Sequence, residues 1–100
     1  METKIENLIE APIRELPIEF TKSGDKFTQV GFNETTRIYM YERVLKIDGA
    51  VYYEVFERKI GNAYKSAEKI VRYPTDECFG AWAKCCSTYK AAKQYFDNGI

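Results

Sequence analysis

The sequence predicts an α+β protein: an antiparallel β-meander of five or six strands with one C-terminal helix packed on one face. Three observations carry that expectation. From Pro17 onward, runs rich in Val, Ile, Tyr, Phe and Thr alternate with turn residues, the pattern of strands joined by hairpins. The stretch RIYMYERVLKIDGAVYYEVFERKI, Arg37 to Ile60, sets two such runs around one Asp48-Gly49 pair. In the tail, Tyr89, Ala92 and Phe96 fall at i, i+3 and i+7, a helical stripe closed by Asn98-Gly99.

The elements follow in order. Residues 1–16 read as a short N-terminal helix or arm, because Ile5, Leu8 and Ile9 have helical spacing and Pro12 interrupts them. The sheet is expected over 17–86. Its first strands are PIEFTK and DKFTQVGF, separated by Ser23-Gly24, and Asn33 to Thr36 is a second polar turn. Gly61 to Ser66 reads as a loop, and AEKIVRYP returns as a strand ending at Pro74. Thr75, Asp76 and Glu77 suit a helix N-terminus. The tail has two readings: one helix from Asp76 to Asp97, or a strand FGAWAKCC and a short helix over 87–98 capped by Ser87 or Thr88. Gly80 in a helix interior would cost about 1 kcal/mol against alanine, which favours the second. One hundred residues, 45% apolar and 15% aromatic, can build one core, so 1–100 reads as a single domain.

The Arg37–Ile60 hairpin can be given a register. A two-residue turn at Asp48-Gly49 pairs Ile47 with Ala50, Arg43 with Glu54, Tyr41 with Phe56 and Tyr39 with Arg58. A three-residue turn would set Glu42 against Glu54, and like charges directly opposite destabilise. The two-residue turn is therefore preferred. It places Ile38, Met40, Val44, Val51, Tyr53 and Val55 on one face, the aliphatic choice for the core. Tyr39, Tyr41, Leu45, Tyr52 and Phe56 lie on the other, among Arg37, Arg43, Glu54 and Arg58.

The C-terminal half carries a Y-E-V-F strand, a Y-P-[ST]-D-E-x-F-G-x-W-A segment and a terminal A-x-x-x-F helix. Between Tyr52 and Phe96 the chain resembles small proteins encoded by phages and mobile elements of gut Bacteroidetes. The resemblance implies a strand and short helix for the tail, and a phage or mobile-element setting. It implies no catalytic residue and no ligand.

Chemistry is narrowed by what is missing. The chain has no histidine, so a Ser-His-Asp or Cys-His arrangement cannot form within it. Cys78, Cys85 and Cys86, spaced C-x₆-C-C, do not match structural zinc spacing and read as small apolar thiols of a reducing, cytoplasmic compartment. No glycine-rich phosphate loop, apolar leader or transmembrane-length run is present. No cofactor, metal or catalytic residue is expected. Fifteen basic residues balance fifteen acidic ones, which removes the bulk positive field of a nucleic-acid-binding chain. The expectation is a non-enzymatic accessory protein that binds another protein or a second copy of itself, with no membrane contact. The alternative is a domain for single-stranded nucleic acid that stacks bases on an aromatic, basic sheet face. Under either reading the candidate binding residues are Tyr39, Tyr41, Arg43, Tyr52, Phe56 and Arg58. Against both stands a third reading, in which the helix or the N-terminal arm covers that face.

Overall fold

The turns set the strands. In the computed structural model, which describes residues 12–100, β1 (Glu19–Lys22) and β2 (Asp25–Asn33) pair Lys22 with Asp25. Only Ser23 and Gly24 are left between them, with φ 54° and 88°. Positive φ at both central residues is the primed turn that matches strand twist. The same kind of turn was expected at Asp48-Gly49, and there the structure corrects the register. Strands β3 (Ile38–Val44) and β4 (Val51–Glu57) pair Val44 with Val51, Arg43 with Tyr52, Tyr41 with Glu54 and Tyr39 with Phe56. The loop is longer: Leu45 N–H donates to Ala50 O, and Leu45 O accepts from Gly49 N–H, both at 2.9 Å. Asp48 Oδ1 accepts from Ala50 N–H at 2.9 Å, and Gly49 ends the loop at φ 75°. Asp48-Gly49 closes a four-residue loop instead of forming the whole turn. The slip is two residues, so every side chain stays on the face assigned to it.

Between β2 and β3, Asn33 Oδ1 accepts from the N–H groups of Thr35 and Thr36, and Asn33 O accepts from Arg37 N–H. A bulge at Val30 then resolves a parity conflict. Phe27 and Phe32 have opposite parity in β2, yet they pair with Arg43 and Tyr39, which share one face of β3. The extra residue between Gln29 and Gly31 brings both rings to that face.

The chain divides into two compact units. The larger, 17–58 with 73–100, holds a five-stranded antiparallel sheet in the order β1-β2-β3-β4-β7, where β7 is Ala83–Cys86. The tail adopts the strand and short helix. After a 3₁₀ turn at Asp76–Cys78 and then β7, helix α1 spans Tyr89–Asn98. It packs on the Ile38, Met40, Val55 and Cys86 face through Ala92, with Tyr53, Tyr95, Phe96 and Ile100 around them. Asn33 Nδ2 and Thr36 Oγ1 both donate to Phe96 O at 2.8 Å, satisfying a carbonyl of the helix end. Thr88 caps the start, its Oγ1 accepting from Ala91 N–H at 3.1 Å. Thr88→Ala is expected to cost about 1 kcal/mol, or roughly 4–8 °C in Tm by thermal circular dichroism. An unchanged midpoint would show that the cap contributes nothing.

The single sheet expected over 17–86 is interrupted by the smaller unit, which comprises 59–72 and, among the described residues, 12–16. Here β5 (Ile60–Asn62) occupies part of the expected loop and pairs with β6 (Lys69–Val71), and Arg14 bridges to Ile70. The helix or arm expected over 1–16 lies, for residues 1–11, outside the described residues.

Candidate functional site

Of the six residues proposed from sequence, the structure brings Tyr39, Tyr41 and Phe56 together, but inside the protein. Tyr41 and Phe56 are fully buried and Tyr39 nearly so. Their rings form an array: Tyr39 stacks on Phe56 at 5.7 Å and Tyr41 on Phe56 at 5.8 Å, and Phe32 lies tilted against Tyr39 at 4.5 Å. The helix takes the opposite face. The ring set over this one is Tyr73, edge-on to Phe20, Phe27, Tyr41 and Phe56 at 4.7–5.5 Å. These three candidates therefore offer no ring face to a ligand in this structure, and the half of the hairpin away from its turn is buried on both sides. Tyr52 is half-buried opposite Arg43. Arg58 is half-buried beyond the end of β4, where its N–H donates to Arg37 O.

Arg43 is the sixth candidate, and it belongs to a charge network. Its Nε and Nη2 donate to Asp25 Oδ2 at 3.0 and 2.7 Å, and its Nη1 donates to Glu54 Oε2 at 2.9 Å. Glu54, only 2% exposed, also accepts from the Tyr73 hydroxyl through Oε1 at 2.6 Å. Asp25 Oδ1 accepts from Lys46 N–H at 3.0 Å. Arg43 Cζ lies 5.2 Å from the Phe27 ring centre. The attraction between Arg43 and Glu54 expected from sequence is present, but it runs diagonally across the ladder. Partial burial works against the Arg43 charge, and the hydrogen bonds it donates to Asp25 and Glu54 override that and hold the guanidinium protonated. The Lys46 N–H, then Arg43, hold the Asp25 carboxyl below its ordinary range. A cavity of about 200 Å³ opens beside the network, lined among others by Lys22, Phe27, Arg43, Glu54, Tyr73 and Phe79. Both Glu54 oxygens already accept a hydrogen bond, and Arg43 is committed to two carboxylates.

Burial pushes the Tyr41 and Tyr73 phenols up from their ordinary value, and the Glu54 charge pushes Tyr73 further. The fold thus favours the neutral phenols. That stability is intact below about pH 10, where the unfolded chain begins to ionise, and is lost as pH rises above it. A tyrosinate absorbance titration followed alongside circular dichroism is expected to show some of the eight tyrosines ionising only as structure is lost. Free titration of all eight near pH 10 with the fold intact would contradict this burial.

The cysteines are all free, and burial raises the thiols of Cys85 and Cys86, which disfavours thiolate chemistry. Among the described residues no group of three or more Cys, Asp or Glu side chains is placed to hold a metal, and no helix is long and apolar enough to cross a membrane.

Exposed apolar side chains gather at a place the sequence did not single out. Val51 pairs with Val44 on the helix-side face, at the turn end of the β3–β4 hairpin. Val51 is exposed, and Ile47, in the loop that closes the same end, is 88% exposed. Two residues along β4, Tyr53 meets Tyr89 at 5.7 Å, and Tyr89 is itself exposed at the first residue of α1. The helix begins there and leaves the hairpin end uncovered. Sequence reasoning missed this end because Val51 was assigned to the core and Ile47 to the ladder. It missed Tyr73 because a strand through Pro74 gave no reason to fold that ring over the sheet. Comparison with family models, with curated proteins and with solved structures finds no match for this chain.

Proposed function

We propose that this chain is a small non-enzymatic protein that works by docking on another protein through the turn end of its β3–β4 hairpin. The observation that carries the reading is the exposure of Val51 and Tyr89 on either side of the half-buried Tyr53, with exposed Ile47 in the adjoining loop. Exposed apolar and aromatic side chains next to one another mark contact surfaces, where tyrosine is an enriched anchor. The committed carboxylates and raised thiols support a binding role over a catalytic one. Burial of Tyr39, Tyr41 and Phe56 withdraws support from base stacking on the sheet face. Three free thiols fit a cytoplasmic setting, and the resemblance of Tyr52 to Phe96 supports a phage or mobile-element origin.

The test compares wild type with an Ile47→Asp/Val51→Glu variant as baits for affinity capture, and follows self-association of each by sedimentation. Both positions are exposed, so the unfolding midpoint should hold to within about 0.5 kcal/mol per site. A bound protein, or a second copy, that is lost with the variant is the expected result. A partner retained equally by both baits would move the surface elsewhere. No protein partner and no self-association would overturn the reading.

A further inference from the structure

The β5–β6 hairpin concentrates positive charge in a chain that has none in net. The described residues of the smaller unit, 12–16 and 59–72, contain Arg14, Lys59, Lys65, Lys69 and Arg72 against Glu15 and Glu68, a net charge of +3. Arg14 is paired with Glu68 at 3.0 Å, so those two charges cancel locally. Arg72 N–H donates to Lys59 O at 2.9 Å, which sets two cations opposite each other on the ladder. Gly61 makes room for Arg72: a Cβ there would come within 2.6 Å of Arg72 Cδ, so the arginine stem lies across the glycine. At the tip, Tyr64 is 87% exposed. Lys65, held at φ 52°, places its Nζ 5.3 Å from the Tyr64 ring centre, so one ring face meets a cation and the other is open.

We propose that this hairpin is a contact site for single-stranded nucleic acid. Tyr64 stacks one base on its open face, and Lys65, Lys69 and Arg72 neutralise the phosphates beside it. The chemistry fits a single strand better than a duplex, because an exposed ring face stacks on the π-face that an unpaired base presents. The site belongs to the smaller unit and shares no residue with the hairpin end that contains Ile47, so a failure at either leaves the other standing.

The experiment is fluorescence anisotropy of the full chain with labelled twelve-nucleotide oligo(dT) and oligo(U), in low and near-physiological salt. Neutralising three phosphates predicts a log–log salt slope near −2, a loss of roughly 18-fold between about 50 and 200 mM salt. Tyr64→Ala should weaken binding by about 5- to 150-fold, the usual range for one stacked base, with the thermal midpoint unchanged. Lys65→Gln and Arg72→Gln should each weaken binding and reduce the salt slope by about 0.7. Ile47→Asp should bind as wild type does. No binding at low salt overturns the proposal, as does binding indifferent to Tyr64→Ala and Arg72→Gln. Duplex DNA bound as tightly as the single strand would overturn the stacking assignment and leave only a basic patch.

Discussion

Phe56→Ala is expected to remove a large part of the protein's stability. The ring is fully buried at the centre of the array, touching Tyr39 and Tyr41 across β3 and the edge of Tyr73 at 4.7 Å. Phenylalanine-to-alanine changes in packed cores cost about 3–5 kcal/mol, from lost transfer energy and the cavity left behind. A domain of this size has only about 5–15 kcal/mol to lose. At roughly 4–8 °C per kcal/mol, the midpoint should fall by at least about 12 °C. Urea unfolding of Phe56→Ala, with Ile47→Asp as an exposed control, measures it. If Phe56→Ala stayed within about 0.5 kcal/mol of wild type, the ring would be a surface group and base stacking on this face would return as a reading.

That outcome also bears on how much the sequence disclosed. The strands, the C-terminal cap and the sorting of hairpin side chains into two faces follow from period-two alternation and turn chemistry, which are local. The register did not follow, because hydrogen bonds within the 45–50 loop decided it. A charge match sought directly across the ladder could be met diagonally by a long arginine. Nor did the role of the aromatic face. Arg43 and Glu54 among tyrosines look like an exposed, charged surface when only one hairpin is considered. Their partners come from Asp25, two strands away from Glu54, and from Tyr73, beyond a separate pair of strands. Residues so distant in sequence leave no local signal. The Val30 bulge adds a further break, since it puts Phe27 and Phe32 on one face against their parity.

The network that filled that face with charge should be as sensitive as the rings around it. Arg43→Met removes the cation bonded to Glu54 and leaves a carboxylate only 2% exposed with Tyr73 as its one remaining donor among the described residues. Breaking a buried pair from one side costs about 3–5 kcal/mol, because the remaining charge keeps its desolvation penalty and loses its counter-ion. The Arg43 side chain is 35% exposed, so water reaches its end of the pair and the loss belongs at the low end, about 3 kcal/mol. Replacing both partners, as Arg43→Met/Glu54→Leu, removes the orphaned charge and should recover part of that loss, less the cost of leaving the Tyr73 hydroxyl without its acceptor. A double-mutant cycle in urea reads the difference directly. Acid sensitivity should move with it. The stability that Asp25 contributes is present above its unfolded value, about pH 4, and is lost as pH falls through the depressed folded value. Without Arg43 the folded value rises toward the unfolded one, so the contribution should be smaller and its loss complete at a higher pH. If the single and double variants were equally destabilised, Arg43 would act through its packing on Phe27. Recovery in the double variant would mean that the charges fix which strands and which loop meet, at little net gain in stability.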